Sequence, residues 1–502
     1  MNTGTPWMAA EQAEARVLHH QRKLHKWAST QPTKRFCDLW NLVCDPATLQ
    51  VAWTRVRNNK GSRTAGVDAV TRHHVEQRHG ADRFLVELRQ SLRERSFRPL
   101  PVRERGIPKK SGKVRYLGIP ALRDRVVQMA LKLMLEPIFE VDFYVSSYGY
   151  RPGRRAQDAI AEIVHFANPT SSYEWVIEAD VEACFDRLDH RVIMTEVERR
   201  IGDRRVLALI RAFLRAGVLT EAGQLERRLT GTPQGGIASP LLANVALSVL
   251  DREYERRWAE TCRYPNYRQQ LRRQGHATYR LVRFADDFVV MVKGSRAQAE
   301  AIMAELPEIV GRMGLRLSAA KTHLTHIDDG FTFLGVTLRR QPRAGKQPCV
   351  YTFVSDQALA AVKQKVKALT TRRTTSLSLH QLLRALNPIL RGWASYFRFT
   401  AAKRTFAYLG YYAWWRVIRW LRKKHPGMTW KWLRRRYRLP GQPSEAGLAL
   451  YNPAATRVVR YRYRGAQIAT PWNQVNPTAP GHRRMAFDET EFLGWVQEHL
   501  FG

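Results

Sequence analysis

Acidic residues are scarce in this chain of 502 residues: 44 Asp and Glu stand against 83 Lys and Arg, leaving a formal net charge of +39. A deficit of that size implies contact with many phosphates, strong affinity for polyanions and a steep salt dependence. Cysteine is also sparse. The five are Cys37, Cys44, Cys184, Cys262 and Cys349, an odd number with no Cys-x-x-Cys pair, which excludes a disulfide framework and a zinc module. No run of about eighteen apolar residues is present, so no membrane-spanning helix is expected. The opening Met1-Asn2-Thr3-Gly4-Thr5-Pro6-Trp7 lacks the basic-then-apolar pattern of a secretory signal. The expectation is a cytoplasmic protein.

What the chain does have is an apolar fraction of 44%, with 14 Trp, 18 Tyr and 19 Phe. That is ample for folded cores and excludes a disordered basic tail. At this length three or four units are expected. Met8 to about Thr30 reads as a helix, as does Phe36 to Val56, and a polar loop Asn58–Asp68 follows. Residues 71 to 345 mix helices and short strands, whereas 355 to 440 read as helices alone. Between Asp356 and Glu445 there is no acid, but there are twenty Lys and Arg.

The apolar run Leu281–Val292 is interrupted by Asp286 and Asp287. Adjacent carboxylates at a tight turn between buried strands repel each other and lose hydration, so the pattern asks for a hard cation such as Mg2+. A solvent-exposed hairpin turn is the alternative, since Asp is common in turns. Upstream, the apolar strand of Trp175–Ala179 runs into Asp180. Two-metal phosphoryl transfer needs carboxylates converging on ions about 3.5–4 Å apart, and a strand end beside a hairpin supplies a rigid base for them. Asp180, Asp286 and Asp287 are the natural trio; Asp186 and Asp189 suit capping or bracing of the next helix. Between these segments, Thr230–Asn244 is a Gly/Pro turn opening into an apolar helix. Its glycines allow close approach of a ligand, and Gln234 can offer its amide to a nucleotide or template.

An acid ending a strand, a Pro-Gln-Gly turn and an Asp-Asp hairpin, in that order, resemble motifs A, B and C of a reverse-transcriptase palm. Gly106–Pro120 resembles the fingers, Ser147–Arg154 the segment entering the palm, and Lys321-Thr322 with Phe333-Leu334-Gly335-Val336 the late palm motifs. The loop Asn59-Lys60-Gly61 to Gly66-Val67-Asp68 and the segment Leu390–Phe397 narrow the resemblance to group II intron-encoded proteins, over residues 10 to 475. Phe284 departs from the Tyr common in that family and leaves both carboxylates in place.

The resemblance implies an α+β, right-hand polymerase fold. Residues 1–70 would form a helical extension, 71–345 fingers and palm with an antiparallel sheet, 346–440 an α-helical thumb or maturase domain X, and 441–502 a small basic region. It implies an RNA-directed DNA polymerase that is also a maturase. Two Mg2+ would be held by Asp180, Asp286, Asp287 and the backbone carbonyl of Val181. Lys109 and Arg115 would meet the incoming triphosphate, with Lys110 as alternative to Lys109, and a solvated basic hairpin is the plainer reading. Gln234, Gly235 and Lys321 would complete the dNTP site. Phe185 would be a sugar gate; core packing is its alternative.

The implied partners are group II intron RNA in a ribonucleoprotein, an RNA template with a DNA primer, target DNA and dNTPs, with no membrane and a homodimer as one candidate assembly. The implied location is a bacterial-type cytoplasm, associated with nucleoid or ribonucleoprotein. Two helices are expected in the acid-free stretch, one starting at Asn387 as cap with Pro388 in its first turn, the other over Lys403–Lys424 with Phe406, Leu409, Ala413, Val417 and Trp420 as its core stripe. Arg391, Arg416, Arg419, Arg422, Lys423, Lys424, Arg434, Arg435 and Arg436 are the RNA-binding candidates, and Trp430–Arg438 interleaves aromatics with cations as a base-stacking surface does. A solvated charged face is the alternative. Arg457–Gly465 is a further candidate contact. With no Cys/His cluster of an HNH type, no DNA cleavage is expected. A non-catalytic RNA-binding splicing factor and a reverse transcriptase of a defence or diversity-generating element are the rival functions.

Overall fold

The computed structural model describes residues 7–108, 114–226, 230–233, 235–262 and 265–473. The expected candidates Lys109, Lys110 and Gln234 lie outside these residues. Two compact units emerge: one comprises the chain up to Arg155, Val176–Leu324 and the segment from Gly465, and the other Ala156–Trp175 and Thr325–Arg464.

In the first unit, helix α1 (Ala10–Thr30) buries Ala13, Val17, Gln21, Leu24 and Ala28, a 3–4 residue repeat that makes one buried stripe. The helix expected over Phe36–Val56 is instead split. Asp45 accepts from the Ala47 amide and caps a new helix, α2 (Pro46–Asn58), with proline in its first turn where no N–H is needed. Helix α3 (Leu122–Asp142) is buried nearly all round and packs with both.

Strands β1 (Val102–Pro108) and β2 (Val114–Ile119) form an antiparallel pair, with Arg115 opposite Ile107. The central sheet uses β3 (Trp175–Asp180), β4 (Thr278–Phe284), β5 (Asp287–Lys293) and β6 (His323–His326), in the order β4-β5-β3-β6. Phe284 faces Asp287 in the β4/β5 register, so Ala285 and Asp286 alone make the turn. Residues Phe288 to Val292 of β5 are all buried, as expected of a strand covered on both faces. Helix α4 (His190–Glu198) is capped by Asp189, whose Oδ1 accepts from the Arg191 amide at 2.7 Å, the role the sequence favoured for it. Helix α5 (Ser239–Cys262) begins just after the Pro-Gln-Gly turn.

The second unit holds the antiparallel sheet β7 (Phe331–Phe333), β8 (Val336–Arg343) and β9 (Lys346–Val354), followed by helices. Helix α6 spans Leu379–Phe397, α7 Lys403–Lys424 and α8 Trp430–Tyr437. The helix start expected at Asn387 is wrong. Ser378 caps α6 through a reciprocal box with Gln381, and Pro388 lies inside the helix. Asn387 is buried and uses its amide elsewhere, donating to the Ala449 carbonyl and accepting from the Tyr451 amide, both at 2.8 Å. The expected stripe of α7 is right: Phe406, Leu409, Ala413, Val417 and Trp420 are fully buried, all but Phe406 in a core shared with Leu382, Leu386 and Leu390. Glu445, the first acid after the acid-free stretch, pairs with Arg436 at 3.1 Å and accepts from the His380 amide at 2.9 Å, at the start of α6.

Among the described residues no helix is long and apolar enough to cross a membrane.

Candidate active site

Asp180 ends β3, the Ala285-Asp286 turn joins β4 to β5, and Asp287 is the first residue of β5. The β3 end is tied down on both sides, the Asp180 carbonyl accepting from the Ser318 amide at 2.8 Å and the Glu182 amide donating to the Arg316 carbonyl at 2.9 Å. Val181 between them is buried and bridges Leu317.

The three acids feel one another. Burial pushes Asp286 above the ordinary carboxylate range, and the Asp180 charge adds to it. Asp287 is pushed up to about 6, first by burial and then by the charges of Asp286 and Asp180, with Lys321 opposing. Asp287 is nonetheless exposed to solvent, which screens the charges around it. Lys321 donates from Nζ to Asp180 Oδ2 at 2.9 Å, and its own pKa is raised mainly by that bond. Among the described residues no group of three or more His, Cys, Asp or Glu side chains closes around a point that would hold a metal ion. The donor chemistry fits a hard divalent cation all the same: mutually repelling carboxylate oxygens lose part of their cost when a cation sits among them.

Phe185 is buried, on the single turn Cys184–Arg187, and its ring meets Tyr150 edge-on at 6.2 Å. Tyr150 is half exposed with φ of 56°, a left-handed conformation for a non-glycine residue, and Asp286 and Arg115 are among the charges that act on its hydroxyl. Ala183 (φ 46°) and Ala285 (φ 58°) share that conformation. Such residues cost of order 1–3 kcal/mol each and gather where surrounding structure enforces them. Gly235 is left-handed as well (φ 119°), and a Cβ there would lie 2.5 Å from the Gly118 carbonyl oxygen, so the turn presses against β2. Gln128 of α3 holds the same turn, its Oε1 accepting from the Ile237 amide at 2.7 Å. Sequence reasoning reached Tyr150 only as part of the Ser147–Arg154 segment, without a role of its own, and did not pick out Gln128, whose local pattern is that of an ordinary helix residue.

In the helical unit the basic candidates divide. Arg416 donates to Thr370 Oγ1 and carbonyl at 2.9 Å, Lys424 to the Thr375 carbonyl at 2.8 Å, and Arg436 pairs with Glu445. Arg391 lies over the Tyr451 ring and Arg422 over Trp430. Arg419, Lys423, Arg434 and Arg435 are exposed and make no ion pair among the described residues. In the Arg457–Gly465 segment, Arg464 and Tyr461 converge on buried Asp158 at 2.7 and 2.9 Å, and Tyr463 donates to Glu162 at 2.9 Å. Those side chains serve the fold of the unit.

An antiparallel sheet carrying acids at a strand end and at the neighbouring hairpin, with a Gly-rich turn leading into a helix, defines a right-hand polymerase of the reverse-transcriptase class. Residues 107–338 match the family described as reverse transcriptase (RNA-dependent DNA polymerase), and residues 359–438 match the group II intron maturase-specific domain. Protein YkfC of Escherichia coli (strain K12) is 38% identical over 361 residues, 68% of this chain and 93% of that protein. The group II intron-encoded protein LtrA of Lactococcus lactis subsp. cremoris is 28% identical over 464 residues, 78% of this chain and 75% of that protein. Among solved structures, telomerase from Candida albicans covers 64% of this chain and 59% of its own at 14% identity, with a TM-score of 0.36. The chain belongs to the group II intron-encoded reverse transcriptase and maturase family, and it is an RNA-directed DNA polymerase. A reverse-transcriptase domain implies use of a divalent metal.

Proposed function

We propose that the chain adds dNTPs to a primer 3′-hydroxyl on an RNA template, with two Mg2+ held by Asp180, Asp286, Asp287 and the Val181 carbonyl, and that it binds its group II intron RNA to promote splicing and mobility. The observation that carries the polymerase reading is the geometry of the three acids: Asp180 ends β3, and Asp286 and Asp287 stand at the hairpin of the neighbouring strand β5 in the same sheet. Carboxylates gathered this way favour a cation among them, which a polymerase site needs. Bound cations would favour the 3′-alkoxide and neutralise the departing pyrophosphate.

The chain's own residues do the rest. The strand end and hairpin hold the carboxylates on a rigid sheet, so the 3′-oxygen forms its bond to the α-phosphorus while the α–β phosphoanhydride breaks. Arg115, with Lys109, and Lys321 supply cations for the triphosphate, and Phe185, backed by Tyr150, presents a flat wall to the sugar at the 2′ position. Gln234 and Gly235 would sit against the nucleotide. On the helical unit, Arg419, Lys423, Arg434 and Arg435 are the cations most available to RNA phosphates, with exposed Tyr411, Trp415, Trp430 and Trp432 as stacking surfaces.

The test is Mg2+-dependent extension of a DNA primer on an RNA template, comparing wild type with Asp286→Asn and offering dNTPs and rNTPs separately. Extension with dNTPs that disappears in the variant is expected. A wild type that binds the template tightly and extends nothing would overturn the polymerase mechanism in favour of an RNA-binding splicing factor.

A further inference from the structure

A fully buried arginine stands three residues before the Asp-Asp pair, where an apolar strand has no intrinsic use for it. Arg283 of β4 is 0% exposed. Its Nε and Nη2 bind both oxygens of Asp251, itself 1% exposed, at 2.8 and 2.5 Å. Its Nη1 donates to the Ala285 carbonyl at 2.9 Å and to Asn244 Oδ1 at 3.0 Å. Asn244 and Asp251 are seven apart on α5, hence on one face of that helix. Asn244 in turn donates from Nδ2 to the Gly149 carbonyl at 2.7 Å. Gly149 is pressed against the turn so closely that a Cβ there would lie 2.3 Å from the Ala285 amide nitrogen. The Arg283 backbone completes the closure, accepting from the Tyr148 amide at 2.8 Å and donating to the Ser146 carbonyl at 2.9 Å.

One guanidinium thus binds the carbonyl of the left-handed Ala285, the helix that follows the Pro-Gln-Gly turn, and, through Asn244, the loop carrying Tyr150. A buried ion pair is weak evidence for a stability role, because well-packed apolar residues in its place are often neutral or stabilising. A bidentate guanidinium with a further donor aimed at a strained turn is instead suited to fixing orientation.

We propose that Arg283 is a positioning residue: acting with Asp251 and Asn244, it locks the Ala285-Asp286 turn so that Asp286 and Asp287 are held ready for the cations. This rests on the polymerase reading given above.

The experiment uses the full chain and three variants. The swap Arg283→Met with Asp251→Leu removes the pair without leaving a buried charge, Asn244→Ala removes the link to Gly149, and Asp286→Asn is the reference for loss of the site. Readouts are the thermal midpoint, Mn2+ affinity by calorimetry, and kcat and KM for dTTP in primer extension. The expected result for the swap is a cooperative unfolding transition, with kcat lowered and Mn2+ binding weakened by about 10- to 100-fold, as for groups that orient metal ligands. KM for dTTP should move far less than kcat. Asn244→Ala should show the same pattern with a smaller loss. A swap that folds and keeps wild-type kcat and Mn2+ affinity overturns the proposal. If the swap does not fold, wild-type kcat and Mn2+ affinity in Asn244→Ala overturn it equally. An Asp286→Asn chain that still extends DNA would instead bring down the polymerase-site reading itself.

Discussion

Lys321 and Asp180 form an ion pair at 2.9 Å in which the lysine is 65% exposed and the carboxylate 31%. The strand-end acid of the site therefore carries a solvent-exposed cationic partner, one that a divalent ion would have to displace. An exposed pair of this kind adds little to stability, about 0–1 kcal/mol.

Replacing Lys321 with Ala should consequently leave the thermal midpoint within about 2 °C, in line with the small stability effect of surface changes. Mn2+ binding to the free protein should tighten, because Asp180 no longer has a competing cation. KM for dNTP should rise, because a triphosphate partner is removed. Calorimetry and steady-state extension read these two opposite shifts, and a variant in which Mn2+ binding weakens would show that Lys321 supports the carboxylates.

Asp287 gives a pH signature with a definite sign. Its folded-state pKa is raised from 3.8 to about 6, by burial first and by Asp286 and Asp180 next. The folded protein therefore holds the proton more tightly than the unfolded chain, and stability is lost as pH rises from about 4 to about 6. Asp287→Asn should stabilise the metal-free protein at pH 7.5, by about 1 kcal/mol once solvent screening of a partly accessible group is allowed for. The gain should vanish below pH 4, and saturating Mg2+ should also narrow it. Melting curves at pH 4, 6 and 7.5, with and without Mg2+, check this; a variant destabilised at pH 7.5 would contradict it.

Phe185→Val should relax sugar choice. The ring is buried and backed by Tyr150, so shortening it opens space where a ribose 2′-hydroxyl would sit. Discrimination against rNTPs, measured as the ratio of kcat/KM values, should fall about 10- to 100-fold, the scale on which an apolar pocket tells a hydroxyl apart. Extension with dNTPs should persist. Loss of dNTP extension with unchanged discrimination would assign the ring to core packing.

On the helical unit, Arg419, Lys423, Arg434 and Arg435 should behave differently from Arg416. Changing the four to Ala should weaken RNA binding and lower the log–log salt slope by about 0.7–1 for each phosphate no longer neutralised, while the melting temperature stays nearly constant. Arg416→Ala, which strips donors from Thr370 and the Lys367 carbonyl, should lower the melting temperature and leave the salt slope nearly unchanged. Titrations at three salt concentrations distinguish the two classes.

Legibility in the sequence followed the range of the interaction. The Asp-Asp hairpin, the strand ending at Asp180 and the α7 stripe were readable because period-2 and period-3.6 patterns are local. The start of α6 was misread because Asn387-Pro388 mimics a helix entry; a proline is tolerated inside the helix, and the Asn amide is consumed by Ala449 and Tyr451, more than sixty residues away. The Lys321–Asp180 pair spans 141 positions, and no local pattern encodes it. Arg283 did carry a signal, a cation set among Leu281, Val282, Phe284 and Ala285, but its partners Asp251 and Asn244 become visible only when α5 packs on the sheet. The basic helices read as one uniform surface, because sequence cannot tell a guanidinium tied to a carbonyl from one left in solvent.

The position of Glu445 has a practical consequence. It is the acid nearest the end of the acid-free stretch, and it is already committed to Arg436 and to the start of α6. The helices therefore have almost no internal counter-charge, and in the isolated protein their cations push on one another. Small ions relieve that pressure in the free chain but compete with RNA in the complex. Buffers that give the tightest ribonucleoprotein should be those in which the unbound protein is least durable, so purification without RNA calls for high ionic strength and assembly for its removal.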